Sequence, residues 1–254
     1  MAHKVFISPS DQTGNKYAAG DTNEAVQCNI VGAHLRTALE RCGMEVKLMS
    51  YCTMQERAAA ADAWGAELYL PIHSNASVAH NATGTRVFYW PTSTNGKKAA
   101  AAVYGFLAPV TPGTGDALKT ATLYECRVPK APTAYVEIDF HDVAEVAGWI
   151  IANTKLIAET ICRGVCAYFN VPYVGEGDGP APHGLPVLRK GSLGDAVRAV
   201  QILLIGYGHS CGPSGADGDF GSGTEAGLKA FQAARQLDAD GICGIASWAA
   251  LLGV

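Results

Sequence analysis

The chain has 254 residues, 48% of them hydrophobic and 17% charged, and a net charge of −4. That length suits one large or two ordinary domains, and the composition is that of a packed protein rather than a disordered one. With no basic block and no apolar run of the ~18 residues a membrane span needs, neither nucleic acid nor membrane insertion is expected.

The first residues, MAHKVFISPSDQ, lack a basic segment followed by an apolar stretch, so no secretory leader is visible. The expectation is a chain made in the cytoplasm, or one exported by another route. Lys4–Ile7 reads as a strand ended by Pro9. SPSDQTGNKYAAGDTNE is rich in turn formers and reads as a loop. It is long for a strand-to-helix connection, and such loops tend to carry function. A helix is expected from about Asn23 to Cys42, capped by Thr22 or Asn23 and stopped by Gly43. Cys28, Val31, Leu35, Ala38, Leu39 and Cys42 form its apolar face. Glu24 lies in its first turn, where a carboxylate also suits the helix dipole.

Glu45–Leu48 reads as a second strand and Met54–Trp64 as a second helix. Leu68, Tyr69, Leu70 and Ile72 then form a buried strand that runs into His73, Ser74 and Asn75. Ligands of open α/β sheets sit outside the carboxyl ends of strands, which is where His73 falls. Arg86–Trp90 reads as a strand, Gly96–Leu107 as an alanine-rich helix, and Pro109–Thr120 as a flexible loop. Ala134–Ile138 is a late strand that delivers Glu137 and then Phe140-His141-Asp142. One long helix is expected over about Val143–Phe169. The β-α-β-α-β order implies an α/β fold, a mainly parallel twisted sheet with helices on both faces.

Val174–Pro186 is glycine, proline and acid, and reads as a linker. Beyond it, DGDFGSGT (Asp217–Thr224) is echoed by DGICGIAS (Asp240–Ser247), each an Asp-Gly turn followed by a helix-capping hydroxyl. With Ala196–Gly206, Glu225–Leu237 and Trp248–Leu252 as helices, the end of the chain reads as a small all-α bundle. It has little room for a catalytic cleft and suits binding. The expected division is 1–172, a linker 173–186, and 187–254.

The eight cysteines are scattered with no C-x-x-C pair, which argues against a zinc knuckle. Cys28 and Cys42 read as small core hydrophobes. A bridge between Cys211 and Cys243 stays open. Glu24, His73 and Glu137 come from separate elements but point to one edge of the sheet. A catalytic zinc takes three protein ligands and leaves one position for water. A nearby carboxylate can shuttle the proton. That combination is metal-assisted hydrolysis of an amide.

The residues that carry this reading also carry a likeness. VFISPS, TNEAVQ, IHSNA and VEIDF make Lys4 to about Pro172 resemble the zinc-dependent N-acetylmuramoyl-L-alanine amidases of bacterial wall turnover, spores and phage endolysins. KGSLGDAVRAVQILL, DGDFGSGTEAGLKAFQ and DGICGIASW make Leu188–Leu252 resemble the three-helix peptidoglycan-binding module. The resemblance implies zinc held by Glu24 and His73, Glu137 as general base and acid, and peptidoglycan as partner. It also implies a phage lysin or autolysin that acts on the wall.

The family's first zinc histidine, in a D-P-G-H-G type turn, has no counterpart in Ser8-Pro9-Ser10-Asp11-Gln12. Three readings follow: His141 is the third ligand, Asp11 or Gln12 replaces the missing histidine, or the metal is lost and the chain only binds wall. Related phage and clostridial sequences share the S-P-S-x-Q loop and the late FHD, which favours an active enzyme with altered ligation. Asn75 and Glu125 are candidates for substrate contact, with a strand-edge carboxylate the default for Glu125. His80 is a weaker substrate candidate. Tyr89, Trp90 and Tyr124 read as packing. His3, His34, His183 and His209 are assigned no role. A zinc peptidase cutting stem-peptide bonds and a non-catalytic wall-binding protein are the alternatives.

Overall fold

Alternation along the strands decides which residues are buried on which face. In β1 (Lys4–Pro9), Val5 and Ile7 join one core, whereas Phe6 joins another. In β3 (Leu68–Asn75), Leu68, Leu70 and Ile72 repeat the first pattern and Tyr69 the second. The computed structural model describes residues 2–175 and 185–252. These fall into two compact units, Met1–Tyr173 and Val174–Val254.

The first unit is a six-stranded sheet in the order β2-β1-β3-β6-β4-β5, with β2 at Glu45–Leu48, β4 at Arg86–Tyr89, β5 at Ala117–Thr120 and β6 at Tyr135–Phe140. β1, β2, β3 and β6 are parallel; β4 pairs antiparallel with β6 and parallel with β5. On the face of Val5, Ile7, Leu70 and Val136 lie α1 (Glu24–Arg41), α3 (Thr94–Leu107) and α6 (Thr154–Phe169). Gly164 lets α6 approach α3 closely: a Cβ there would stand 2.6 Å from the Cα of Val103. On the opposite face Phe6 and Tyr69 pack with Ala61 of α2 (Met54–Trp64) and with Ala131. The α/β sheet expected from the sequence, with helices on both faces, is the observed architecture.

The helix ends follow local chemistry. Asn23 caps α1 by accepting from the Val26 amide, and Thr53 and Glu56 form a reciprocal capping box on α2. Two expectations need correction. Pro109–Thr120 is not simply a loop. It ends in β5, and Asp139 accepts hydrogen bonds from the amides of Gly84 (2.6 Å) and Gly113 (3.1 Å), pinning both approaching loops. The long helix is two, α5 (Ala144–Ala152) and α6. Asn153 separates them, its side chain donating to the Trp149 carbonyl at 2.8 Å. An asparagine that bonds backbone in this way competes with the helix ladder.

The second unit holds α7 (Asp195–Gly206), α8 (Ser222–Ala234) and α9 (Ile245–Leu252) around Leu204, Phe220, Leu228, Phe231 and Trp248. The sequence echo is a structural one. Gln201 donates to Asp217 Oδ1, Asp219 O and Thr224 Oγ1, each at 2.9 Å, and accepts from the Gly218 amide at 2.8 Å. Gln232 donates to Asp240 Oδ1 (2.7 Å), Ile242 O (3.0 Å) and Ser247 Oγ (3.1 Å), and accepts from the Gly241 amide at 2.9 Å. Each Asp-Gly turn is thus held by one buried glutamine with its amide fully used. Cys211 and Cys243 are buried thiols and form no bridge. The expected linker falls largely on residues 176–184, which lie outside the described residues, as does His183. Among the described residues no helix is long and apolar enough to cross a membrane.

Candidate active site

The site is assembled at the carboxyl end of β3. His73 is the sixth residue of that strand, and its register partner across the parallel pair with β6 is Glu137. The parallel register sets the two side chains next to each other on one face. Glu24 enters from the first turn of α1. Its Oε1 accepts from His73 Nδ1 at 2.8 Å, and both residues are almost fully buried. The long loop after β1 adds Gln12, whose Nε2 lies 3.5 Å from Glu24 Oε1 and 3.4 Å from His73 Nδ1. Asn15 steadies the group by donating to Glu24 Oε2 at 2.7 Å and to Gln12 Oε1 at 2.9 Å. Tyr135 stacks on the imidazole, centroids 4.7 Å apart.

The other imidazole nitrogen faces a second buried carboxylate. His73 Nε2 stands 3.5 Å from Glu125 Oε2, and neither atom has a hydrogen-bond partner. Glu125 Oε1 accepts from Ser8 Oγ (2.5 Å) and Tyr69 Oη (2.8 Å). The fully buried Arg57 brings Nε to 3.8 Å from the same oxygen and donates from Nη1 to the Pro9 carbonyl at 2.6 Å.

Charges set the protonation. Burial pushes Glu24 and Glu125 up, but the hydrogen bond and charge of His73 outweigh it at Glu24, and the nearby charge of His73 with the hydrogen bond from Ser8 outweighs it at Glu125, so both stay below the usual carboxylate range. Burial alone would lower His73; the three carboxylates Glu125, Glu24 and Glu137 raise it to about 10. Glu137 has no such support. Burial, opposed by His73 and reinforced by Glu24, pushes it up to about 8, and its Oε2 is shut from water without a partner.

The sequence candidates separate here. Glu24, His73 and Gln12 come together, with Glu137 beside His73. His141 does not join them. Its Nδ1 lies 3.0 Å from the Ser74 carbonyl and 2.9 Å from Ser74 Oγ, and its ring stacks on Tyr17. Among the described residues no three His, Cys, Asp or Glu ligand atoms gather within 4.8 Å around Glu24. Asp11 turns toward Arg57, 3.8 Å away. Asn75, at the end of β3, caps its neighbour by accepting from the Ala76 amide at 2.8 Å. His80 is exposed and pairs with Asp142 at 2.9 Å. Glu125 is not at a strand edge but on a single helical turn, α4 (Tyr124–Arg127). Sequence reasoning missed Ser8, Tyr69 and Arg57. Tyr69 and His73 are four apart on one strand and so share a face, which was the available signal.

The donor set bears comparison with a zinc centre. A tetrahedral ion with bonds of about 2.0–2.1 Å spaces its donors roughly 3.3 Å apart. The separations among Gln12, Glu24 and His73 are 2.8, 3.4 and 3.5 Å. Glu24 and His73 face each other as two such donors would, held closer than that spacing by their 2.8 Å hydrogen bond, whose proton the ion would replace. Gln12 fits once its amide is turned to present oxygen, a half-turn about its last torsion.

Comparison with known proteins follows the same residues. A model of the N-acetylmuramoyl-L-alanine amidase family (Amidase_3) matches residues 5–167. The chain belongs to that family. The peptidoglycan binding domain family matches residues 194–251. The fold is also similar to solved amidases. The catalytic domain of CwlV from Paenibacillus polymyxa aligns with a TM-score of 0.61 at 18% identity, covering 68% of this chain and 100% of that one. AmiC2 of Nostoc punctiforme gives 0.61 at 20%, covering 66% and 97%. The catalytic domain of the CD27L endolysin targeting Clostridia difficile gives 0.55 at 22%, covering 65% and 97%. A curated relative, the zinc D-Ala-D-Ala carboxypeptidase of Streptomyces albus G, is 44% identical over 61 residues, 24% of each chain. The chain therefore spans about a quarter of that relative's length.

Proposed function

We propose that the chain is a zinc-dependent peptidoglycan amidase that cuts the amide between the lactyl group of N-acetylmuramic acid and L-alanine. Glu24, His73 and Gln12 would hold the ion. When bound, zinc supplies Lewis-acid polarisation of the amide carbonyl and lowers the pKa of water. Glu137 holds and moves the proton. Its raised pKa and unpartnered Oε2 suit a group that accepts a proton from water and returns it to the leaving amine. Glu125 faces His73 Nε2 and fixes the ring, as a carboxylate behind a ligating imidazole does. Residues 194–251 would keep the enzyme on the wall and raise its local substrate concentration.

The observation that carries this reading is the register pairing of Glu137 with a histidine already bound to Glu24. The deciding experiment digests purified wall and analyses the products by mass spectrometry. An amidase frees peptides that begin with L-alanine and leaves the glycan intact. New ends inside the stem peptide would instead mark a peptidase, and no release at all would mark a binding protein.

A further inference from the structure

α1 carries Glu24 at its start; at its other end, about 27 Å along an 18-residue helix, three sulfurs meet. Cys42 caps α1, and Cys162 and Cys166 lie one turn apart on α6. The Sγ separations are 3.7 Å for Cys42–Cys162 and 4.0 Å for Cys162–Cys166. One ligand atom from each of the three lies within 4.8 Å of the others, the sole such group of His, Cys, Asp or Glu among the described residues.

Those distances are informative. A zinc-type ion with bonds of about 2.3 Å to sulfur spaces its sulfurs roughly 3.8 Å apart in a tetrahedral arrangement, and the observed pairs bracket that value. Cys162 and Cys166 are buried while Cys42 is partly open, so the cluster has a dry interior and a side reachable from solvent. The guanidinium of Arg41, beside the cluster, is fixed by Glu159 at 2.6 and 2.8 Å. Soft thiolates select thiophilic d10 ions over hard cations.

We propose that Cys42, Cys162 and Cys166 form a second metal site, for a thiophilic divalent cation of the zinc class, which ties the end of α1 to α6. Binding forms three metal–sulfur bonds and releases the thiol protons to solvent. No electron transfer is involved. The site is independent of the amidase centre, which contains no sulfur ligand, and stands whether or not that centre holds zinc.

The test uses the reduced, metal-free full chain titrated with Co2+. A thiolate-to-cobalt charge-transfer band in the near ultraviolet should grow and saturate at one equivalent of sulfur-bound ion. It should persist in Glu24→Gln and in Cys28→Ala and be displaced by Zn2+. The band should vanish in Cys42→Ser and Cys166→Ser, whose folding is checked by circular dichroism. Zn2+ should raise the melting temperature of Glu24→Gln by several degrees and leave the Cys42→Ser, Glu24→Gln double variant unmoved. No band in the reduced chain, or a band that survives both serine variants, overturns the proposal.

Discussion

Glu24 and His73 stand 49 residues apart in the chain and 2.8 Å apart in space, carboxylate oxygen to imidazole Nδ1. That pairing needs the cap at Asn23 to start α1 on time and the end of β3 to fall at His73. A one-residue slip in β3 would turn the imidazole to the other face of the sheet.

Gln12 is the test of how this centre is completed. Gln12→Ala should weaken zinc binding by about 10–100-fold or more, because it removes the amide nearest to both Glu24 and His73. Gln12→His should recover much of that affinity. Competition with a chromophoric chelator measures both. Equal affinity in wild type and Gln12→Ala would remove Gln12 from the ligand set.

Glu137→Gln keeps the shape of the side chain and removes its proton chemistry. Lysis should fall by about 10²–10⁴-fold, the usual contribution of a general acid–base group. Zinc content and sedimentation with wall fragments should not change. Turbidity loss of wall suspensions, with metal analysis of the same samples, separates the outcomes.

Glu125 and Arg57 form a buried charge pair behind the site. Glu125→Leu leaves the buried guanidinium only the half-exposed Asp11, 3.8 Å away, and denaturant unfolding should show a loss approaching about 3–5 kcal/mol. Adding Arg57→Met should restore a large part of it. A double variant no more stable than the single one would show that the pair is not coupled.

In the second unit, Asp217 accepts from the Asp219 amide and from Gln201, which holds its carboxyl below the ordinary value of 3.8. For a depressed carboxyl the sign is fixed: its stabilisation is present above that ordinary value and is lost as pH falls through the lowered one. Protection factors for amide exchange across residues 217–224, corrected for the intrinsic pH dependence of exchange, should therefore fall on acidification, and Asp217→Asn should flatten that dependence. Gln201→Leu should open the same segment at every pH, since it strands the Gly218 amide and Thr224.

Much of this was legible in the residues. β2 and α2 have the expected bounds, and α1 differs only at its capping residues. The apolar run ending at His73 is strand β3. Where reading failed, a local cause is visible. β5, ALKT, is half exposed, so it lacks the alternation that marks a buried strand. The break at Asn153 involves neither proline nor glycine and is made by a side chain. His141 was judged by its distance from Glu137 along the chain. Between His73 and Asn75 the β3–β6 register shifts by one residue, and the His141 amide bonds to the Asn75 carbonyl at 2.8 Å. Beyond that bulge its ring is taken up by Ser74 and Tyr17. The glutamines at 201 and 232 were invisible as partners because the echo was read from its turns and not from what grips them.

The irregularity in β6 has a practical corollary. Within three residues the strand passes from Glu137, beside the imidazole, to Asp139, which tethers the approaches at Gly84 and Gly113. Loss of the tether would disturb the neighbouring carboxylate, so an activity screen alone would mistake Asp139 for part of the chemistry. Only a measurement of loop order would tell the anchor from the carboxylate next door.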